Sequence, residues 1–332
     1  MQRNVLVIGG AGYIGSVLSQ RLLSQGYKVT ALDNLTYGTG NSIGELIENP
    51  DFRFVKGDFG DQPLLDQLLG ECTDVVLLAA MVGDPICKKY PELTQKVNVD
   101  YPKNLFSSMN RKGIKNFVFT STCSNYGLRT DDTLANEESE LNPQSLYAET
   151  KIEFEKHILA NGNDKDFSST ILRLSTAFGV SNRMRFDLTV SQFTRELALG
   201  KDLLVYDENT WRPYCNVADI SDVIIKVMES PKETIHNEVF NVGSDHNNFT
   251  KKMIVDLIDQ VVPGTKVEYK ENGMDPRNYK VSFEKLKSKL NYEPKVNVED
   301  SVKALSKAIE NGLYHDIETE KNFFGNYAVV NQ

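Results

Sequence analysis

Residues 4–34 read NVLVIGGAGYIGSVLSQRLLSQGYKVTALDN, and the order of residue types in this stretch decides the fold. The apolar run at residues 5–8 has the composition of a parallel strand that is buried on both faces. Three glycines follow at three-residue spacing, and a helical pattern then runs to Gly26. A second apolar run ends at Asp33. The stretch therefore predicts the first β-α-β unit of an α/β protein with a doubly wound parallel sheet of the Rossmann type.

The three glycines have separate physical roles in such a unit. Gly9 permits the tight turn after the strand, Gly12 lets a pyrophosphate approach the backbone, and Gly15 lets the helix pack closely. The helix N-terminus offers free N–H groups and the positive end of the helix dipole to a phosphate. Glycines at this spacing also occur in ordinary turns, but their order with strand, helix, strand and acid favours a dinucleotide site.

Asp33 and Asn34 indicate which dinucleotide binds. The Asp33 carboxylate can accept hydrogen bonds from the ribose hydroxyls of adenosine, whereas it would repel the 2′-phosphate of NADP. Asn34 supplies no compensating cation. The pair therefore predicts NAD as the cofactor.

Composition and charge restrict the class of protein. The chain has 332 residues, of which 40% are hydrophobic and 25% charged, as is ordinary for a soluble enzyme. A net charge of −9 argues against a nucleic-acid or anionic-membrane partner. No apolar run could span a bilayer, and the first strand begins too early to leave room for a signal peptide. No two of the four cysteines form a CxxC motif, and the four histidines are scattered through the sequence. We therefore expect a cytoplasmic protein with reduced thiols and no metal site.

Later predicted strands also end in residues suited to ligand binding, because ligands of open α/β sheets bind at the carboxyl ends of the strands. Asp58 and Phe59 could flank an adenine, although Asp58 could instead cap a helix, a role that Asp61 would serve at least as well. Residues 78–80 are small and apolar and suit close contact with a cofactor. The loop 81–91 is either a ligand-binding loop or a plain connection.

Tyr147 and Lys151 form a second group of candidate residues. Their spacing places both side chains on one face of a predicted helix. A tyrosine normally titrates at about pH 10, but a nearby ammonium and the positive nicotinamide of the oxidised cofactor would favour its phenolate. Tyr147 could then remove a proton from a sugar hydroxyl held by Thr122, at the end of the fifth predicted strand. A partly buried tyrosine on a surface helix is the alternative, but the dinucleotide unit favours catalysis.

The alternation of strands and helices loosens after a strand at 169–174. We interpret residues 1–175 as an NAD-binding Rossmann lobe to which later segments return. Residues 176–332 mainly form a smaller α/β lobe that binds the substrate in the cleft between the two. Individual predictions include one helix from about 92 to 112 and a short strand at 215–217.

The chain resembles the extended short-chain dehydrogenases/reductases of the NAD-dependent sugar-nucleotide epimerase/dehydratase family. The motifs that carry the resemblance lie between residue 4 and about residue 300: GGAGYIG (9–15), DNL (33–35), GDF (57–59), LAA (78–80), TSTCSNYG (120–127), YAETK (147–151), LRLSTAFG (172–179), RPYCNVAD (212–219) and DPRNY (275–279).

This resemblance implies a nucleotide-diphosphate sugar as substrate, with Arg212 and Arg277 on its diphosphate or nucleoside. It also implies a homodimer through a four-helix bundle, built from the helices that follow residues 92 and 145. Thr122, Tyr147 and Lys151 correspond to the catalytic residues. The NAD-binding residues that it implies are Gly9, Gly12, Tyr13, Ile14, Gly15, Asp33, Asn34, Asp58, Phe59, Leu78, Ala79, Ala80, Tyr147 and Lys151.

Departures from the family pattern narrow the reaction. The 4,6-dehydratases carry an Asp-Glu pair where this chain has Cys123 and Ser124, and a serine cannot replace a carboxylate as acid or base at neutral pH. The GDP-mannose 3,5-epimerases place a catalytic cysteine at the position of Ser124, so Cys123 is one place off for that role. Thr176 and Asn216 replace an asparagine and a histidine of the family, which alters substrate contacts and leaves the catalytic residues in place.

The remaining chemistry is oxidation of the sugar C4 hydroxyl. Release of the ketosugar would make the protein a 4-dehydrogenase, and return of the hydride to the opposite face would make it a 4-epimerase. Residues 82–91 and 182–194 resemble the GDP-heptose 4-dehydrogenases of capsule polysaccharide biosynthesis, which favours a GDP-linked sugar and places Arg183 and Arg185 on the substrate. The alternative for these arginines is a solvated basic loop that pairs with Asp187. A non-catalytic NAD-binding sensor is the more remote alternative.

Overall fold

The computed structural model describes residues 2–110, 112–130, 133–264 and 266–329, with Thr39 described by its backbone alone. Its strands are β1 (Asn4–Ile8), β2 (Lys28–Asp33), β3 (Phe52–Lys56), β4 (Asp74–Leu77), β5 (Asn116–Thr122), β6 (Ser168–Leu174), β7 (Thr176–Phe178), β8 (Leu203–Tyr206), β9 (Trp211–Asn216), β10 (Glu238–Val242), β11 (Asn248–Thr250) and β12 (Val267–Lys270).

The α-helices alternate with these strands in the first half of the chain. They are α1 (Tyr13–Ser24), α2 (Gln62–Leu69), α3 (Asp84–Lys89), α4 (Pro91–Gln95), α5 (Tyr101–Ser108), α6 (Leu146–Asn161), α7 (Thr189–Ala198), α8 (Val217–Glu229), α9 (Lys232–Ile235), α10 (Lys251–Val261), α11 (Glu284–Leu290) and α12 (Val298–Glu310). Short 3₁₀ turns lie at Thr39–Leu46, Cys123–Tyr126, Asp245–Asn247 and Glu318–Glu320.

The central sheet has seven parallel strands in the order β10-β6-β5-β4-β1-β2-β3. The strand order reverses between β1 and β4, which is the point where an open α/β sheet forms its ligand crevice. This topology confirms the predicted doubly wound Rossmann sheet. The edge strand β10 comes from the later part of the chain and pairs with β6.

Helices cover both faces of this sheet, as the continuous apolar strands require. On one face, Leu18 and Leu22 of α1 and Ile224 of α8 lie in the same buried cluster as Val7. On the other face, α2, α5 and α6 contribute a second cluster, in which Phe154 packs edge-on against Phe119 of β5 with ring centroids 4.8 Å apart. The core therefore holds the carboxyl ends of β1, β2, β4 and β5 at one edge.

The remaining strands form two small sheets, β11-β9-β7 and β12-β8, which pack with α7, α10 and α12 around a third apolar cluster. The division into lobes at residue 175 stays a prediction. No helix in the described part of the chain combines the length and the apolar character that a membrane span requires.

Two sequence predictions differ in detail from the structure. The helix expected from about 92 to 112 is α4 and α5 joined by a π-helical turn at Lys96–Asp100. Pro102 has no N–H to continue the regular pattern, and Asn98 in the wide turn exchanges hydrogen bonds with the backbone N and O of Met81 at 2.8 and 3.1 Å. The strand expected at 215–217 is instead Trp211–Asn216, because pairing with β7 and β11 sets its bounds.

Candidate active site

A large cleft of about 1130 Å³ runs along the carboxyl edge of the central sheet. Its volume lies just above the ~300–1,000 Å³ expected of a pocket for one drug-sized ligand. Residues from all the early motifs line it, together with residues of the smaller sheets and of the chain's C-terminal segment. The cleft therefore has room for a cofactor and a substrate together.

The glycine turn after β1 leaves no space for a side chain at Gly9 or Gly15. Gly9 has φ +90°, and a Cβ there would lie 2.7 Å from the backbone N of Ala79. A Cβ on Gly15 would lie 2.1 Å from the carbonyl oxygen of Gly9. These distances fit the expected roles in the turn and in close helix packing. Among the described residues no side chain caps α1, so the helix N-terminus at Tyr13 is available to an anion at the cleft wall.

Asp33 at the end of β2 is held by backbone donors. Its carboxylate oxygens accept hydrogen bonds from Ala11 N at 3.0 Å and Leu35 N at 2.8 Å. Burial raises the pKa of Asp33, and these two bonds oppose the increase. The carboxylate lines the cleft beside the glycine turn, where a ribose could reach its remaining lone pairs.

Asp58 and Asn34 are joined across the ends of β2 and β3. The amide of Asn34 donates to Asp58 at 3.0 Å, and Asp58 also accepts from Gly60 N at 2.8 Å. Asp61 caps α2 by accepting from Leu64 N at 3.3 Å. The capping role therefore falls to Asp61, and Asp58 lines the cleft with Phe59.

The small residues after β4 lie against the glycine turn. Leu78 N and Ala79 N both donate to the carbonyl oxygen of Ile8 at 2.9 Å. Leu78, Ala79 and Ala80 line the cleft, as does most of the following loop. The loop 81–91, expected to be either a ligand loop or a connection, contributes Asp84 and Lys89 to the wall.

Thr122, Tyr147 and Lys151 are brought together on the cleft wall. The Lys151 ammonium lies 2.9 Å from the backbone O of Thr120 and 5.8 Å from the centroid of the Tyr147 ring. Thr122 is buried, and its Oγ1 accepts from Ser124 N at 3.1 Å, so that its own O–H can turn toward the cleft. This arrangement would allow Tyr147 to exchange a proton with a ligand hydroxyl that Thr122 binds.

Burial changes the pKa values of both Tyr147 and Lys151. Burial, together with the neighbouring Cys87, raises the pKa of this phenol well above its usual value, although Arg185 opposes the change. Burial also lowers the pKa of Lys151 to about 8. The predicted phenolate depends on the nicotinamide charge as well as on Lys151 and stays a prediction.

Arg212 and Arg277 share the carboxylate of Asp275. Arg212 Nη2 lies 3.0 Å from Asp275 Oδ2, and Arg277 Nε lies 2.7 Å from Oδ1. Arg277 also donates to Ser124 Oγ at 3.1 Å and pairs with Asp84 at 3.1 Å. Burial opposes ionisation of Asp275, but the hydrogen bond and charge of Arg277 and the charge of Arg212 hold its pKa below the usual range.

Arg183 and Arg185 both line the cleft and are only 2% and 8% exposed. Arg185 pairs with Asp187 through bonds of 2.9 and 2.5 Å. The alternative of a solvated basic loop predicted the pairing with Asp187. Its prediction that the arginines are solvated is wrong, because both are buried. Arg183 instead donates to Asn326 of the C-terminal segment at 2.7 Å.

Three residues singled out for departing from the family pattern have different locations. Thr176, at the start of β7, lines the cleft. Cys123 is buried, its thiol donates to the carbonyl oxygen of Arg173 at 3.2 Å, and it is absent from the described lining residues. Asn216 is absent from them too, because it caps α8 through Ala218 N at 2.8 Å. Of these three residues, Thr176 therefore lines the cleft, whereas Cys123 and Asn216 lie in the interior.

Sequence reasoning missed the C-terminal segment. Asn326, Tyr327 and Val329 line the cleft, and the Asn326 amide donates to the carbonyl oxygen of Val82 at 3.2 Å. Tyr37, after β2, is a second lining residue that was not singled out. The run FFGNYAV at 323–329, apolar and aromatic near the end of the chain, is the signal that could have revealed the segment.

Residues 5–243 match the model of the NAD dependent epimerase/dehydratase family. Among curated proteins, the chain is 27% identical over 326 residues to UDP-glucuronic acid decarboxylase 1 of Arabidopsis thaliana, covering 95% of this chain and 71% of that protein. It is 29% identical over 320 residues to UDP-glucose 4-epimerase of Lactobacillus helveticus, covering 90% and 94%. UDP-glucuronic acid 4-epimerase from Bacillus cereus, solved with UDP-glucuronic acid and NAD, superposes with a TM-score of 0.83 at 25% identity, covering 93% of this chain and 99% of the other.

Proposed function

Because the chain belongs to the NAD-dependent epimerase/dehydratase family, we propose that it oxidises the C4 hydroxyl of a nucleotide-diphosphate sugar to a ketone. NAD is its cofactor. The observation that carries the proposal is the position of Thr122, Tyr147 and Lys151 on the wall of the same cleft as the glycine turn. A base and a hydroxyl-binding group thus lie where the reacting end of a dinucleotide would reach.

The residues around the glycine turn fit NAD. Gly9 and Gly15 leave no space for a side chain, and the uncapped N-terminus of α1 suits a pyrophosphate. Asp33 would bind the adenosine ribose, and Asp58 with Phe59 would flank the adenine. When bound, NAD accepts a hydride and brings the positive charge of its nicotinamide to the site.

The chain's own residues would handle the proton. Thr122 holds the C4 hydroxyl by hydrogen bonding, and the Tyr147 oxygen takes its proton while the C4 hydride leaves. Lys151, fixed by the carbonyl oxygen of Thr120, contributes a positive charge near the Tyr147 phenolate that accepts this proton. Because burial raises the pKa of Tyr147, the positive charge that accompanies the cofactor is needed to bring the phenol into the useful range.

A nucleotide-diphosphate sugar is the substrate class that the relatives suggest. The names of the epimerase and decarboxylase relatives specify UDP-linked sugars, and the Bacillus cereus enzyme was solved with one. In this chain Arg212 and Arg277 would bind the diphosphate, with Asp275 holding both guanidinium groups in place. Thr176 and Arg185 are further candidates for substrate contacts.

The reactions of the relatives support C4 as the position of oxidation. Inversion at C4 requires loss of the hydrogen on that carbon, and a uronic acid loses its carboxyl group most easily when C4 is a ketone. Dehydration is disfavoured, because Ser124 has no carboxylate and its hydroxyl is engaged with Arg277. Between the other outcomes we favour a 4-dehydrogenase acting on a GDP-linked sugar, on the sequence of the loops 82–91 and 182–194, with 4-epimerisation as the alternative.

A homodimer is part of the same proposal. The helices α5 and α6 would pair with their copies in a second chain, which gives four helices. Lys103 of α5 pairs with Glu153 of α6 at 2.6 Å, and because both side chains are partly exposed, this contact would lie at or beside the bundle. Sedimentation of the full chain tests the assembly.

The test of function is incubation with NAD and candidate GDP- and UDP-sugars, followed by NMR of the C4 centre and absorbance of NADH. A 4-keto product or an inverted C4 supports the proposal, and a 4-keto-6-deoxy sugar would refute it. Tyr147→Phe should lower turnover by about 10²–10⁴-fold, the typical contribution of a positioned acid or base. The exposed Tyr206→Phe is the matched control. Unchanged turnover in Tyr147→Phe would contradict the role of Tyr147 as the base, whereas a wild-type protein that binds NAD but turns over none of the sugars would favour the non-catalytic sensor.

A further inference from the structure

The loop that carries Arg183 is fixed to the first turn of α1. The Ser181 hydroxyl donates to the backbone O of Tyr13 at 2.8 Å and lies 3.1 Å from Ser16 Oγ, and the Tyr13 hydroxyl donates to the backbone O of Gly179 at 2.7 Å. These contacts place the loop beside the helix end that presents its N–H groups to the cleft. Arg183 therefore lies at the cofactor half of the cleft.

Arg183 is held in this place from a second direction, by the C-terminal segment. Its Nη2 donates to the backbone oxygens of Asn322 and Gly325, both at 3.2 Å, and to the side-chain oxygen of Asn326 at 2.7 Å. Its guanidinium carbon lies 5.2 Å from the centroid of the Tyr37 ring. The guanidinium thus joins the C-terminal segment to the loop after β2, and all three border the cleft.

Two buried polar atoms in this group have no hydrogen-bond partner within the described chain: Nε of Arg183 and the hydroxyl of Tyr37. Four arginines line the cleft. Arg185 has Asp187 as an ion-pair partner, and Arg212 and Arg277 share Asp275. Among the residues with described positions, Arg183 alone of the four has no carboxylate within 4.0 Å.

A buried guanidinium without a counter-ion is costly, so an anion that binds beside it gains both charge pairing and hydrogen bonds. Burial, then the charge of Arg185, lowers the pKa of Arg183 to about 10, which leaves it a cation at neutral pH. The charges of Asp187, Tyr37 and Asp33 act on Arg183, whereas Arg277 interacts with Asp84 and Asp275. Unlike Arg277, Arg183 is thus electrostatically coupled to Asp33 at the predicted ribose site.

A pyrophosphate is the anion that this position fits. A helix N-terminus supplies roughly half of one positive charge, and the pyrophosphate of a dinucleotide carries about two negative charges. We infer that Arg183 and the Tyr37 hydroxyl bind the pyrophosphate of NAD together with the N-terminus of α1, and that the C-terminal segment holds the guanidinium in place. This assigns Arg183 to the cofactor, whereas the sequence placed it on the substrate.

The test compares two ligands that differ in the pyrophosphate. ADP-ribose and adenosine are titrated by calorimetry into the full-length protein after removal of bound cofactor. Arg183→Gln should lower the affinity for ADP-ribose by about 10- to 100-fold, as expected for the loss of a charged hydrogen bond. Tyr37→Phe should lower it by about 2- to 10-fold. Adenosine affinity should stay within about twofold in both, and Arg183→Lys should retain part of the ADP-ribose affinity. Arg53→Gln and Tyr206→Phe are exposed controls.

Equal losses for ADP-ribose and adenosine would show a structural role and overturn the inference, as would unchanged ADP-ribose affinity in both variants. Tyr37→Phe removes only a hydroxyl that has no partner among the described residues, so it should fold even if Arg183→Gln releases the C-terminal segment. Retention of NADH through gel filtration gives a second readout, in which both variants should lose cofactor faster. The experiment contains no nucleotide sugar, and its result is therefore independent of the proposed C4 chemistry.

Discussion

The ammonium of Lys151 donates a hydrogen bond of 2.9 Å to the backbone carbonyl oxygen of Thr120. This bond links α6 to the carboxyl end of β5 and is buried, since Lys151 is only 3% exposed. It fixes the lysine one turn of helix from Tyr147, and Thr122 lies two residues further along β5. The relative position of the three proposed catalytic groups therefore depends on one side-chain contact between a helix and a strand.

We predict that replacing Lys151 by Met changes stability in a pH-dependent way. Burial lowers the Lys151 pKa from 10.5 to about 8, so the unfolded chain binds more protons between these values and wild-type stability rises with pH there. The charge penalty is complete below about pH 8 and amounts to ~3 kcal/mol at most. The free energy of unfolding of Lys151→Met minus that of wild type should therefore decrease from about pH 8 to 10.5.

Urea unfolding at several pH values measures this difference. Lys156→Met, at an exposed position of the same helix, is the control and should show a flat difference. If the difference for Lys151→Met were also independent of pH, the prediction would be wrong, because Lys151 of the folded protein would then be protonated over the whole range from about pH 8 to 10.5.

Arg277→Gln should raise the KM for the nucleotide sugar and lower kcat/KM by about 10- to 100-fold, the usual effect of losing a charged hydrogen bond. NADH affinity should stay unchanged, because Arg277 is tied to Asp275 and Ser124 rather than to the glycine turn. Ser124→Ala removes one 3.1 Å contact of Arg277 and should cost less. An unchanged KM in Arg277→Gln would place the diphosphate elsewhere.

Gly15→Ala should destabilise the protein and weaken NADH binding, because the new Cβ would lie 2.1 Å from the carbonyl oxygen of Gly9. Relieving that contact requires a shift of the glycine turn, and overpacking of this kind costs about 1–3 kcal/mol. Gly44→Ala is the matched control, since a Cβ at that position would meet no atom of the described residues within 4 Å. Thermal unfolding and NADH fluorescence measure both effects. Normal stability in Gly15→Ala would contradict the close packing.

Cys123→Ala should keep turnover within about twofold of wild type and cost roughly 1–2 kcal/mol of stability, as expected for a small buried deletion. The Cys123 thiol is in the core, where burial raises its pKa above the usual range. Alkylating reagents should for the same reason modify it slowly in the folded protein. A hundredfold loss of turnover in a fully folded Cys123→Ala would instead assign the thiol a part in the chemistry.

Much of the fold could be predicted because its signals are local. The apolar run of β1, the glycines and the pattern of α1 lie within one short stretch, and parallel strands buried on both faces leave a clear trace in sequence. The helix period likewise predicts that Tyr147 and Lys151, four residues apart, share one face of the helix. The bounds of β9 could not be obtained in this way, because its partners β7 and β11 fix them from other parts of the chain.

The candidate site was predictable in its residue types and less so in their electrostatics. Asp33, Thr122 and Tyr147 all line the cleft. The pKa of Tyr147, however, is governed by burial, and desolvation depends on atoms that packing brings from elsewhere. The same reason explains why the surroundings of Arg183 and Arg185 could not be predicted. The sequence allowed a solvated basic loop or a substrate contact, and the structure buries the two side chains with different partners.

The sequence by itself determined the Rossmann sheet, the choice of NAD and the residue types of the proposed catalytic group, because each is encoded by neighbours in the chain. Only the tertiary structure decided that Cys123 lies in the core, that Asp275 serves two arginines, and that Asn326 contacts Arg183, 143 positions before it. Burial and ion pairing between distant segments arise from packing, and no local pattern specifies which segment will cover which side chain.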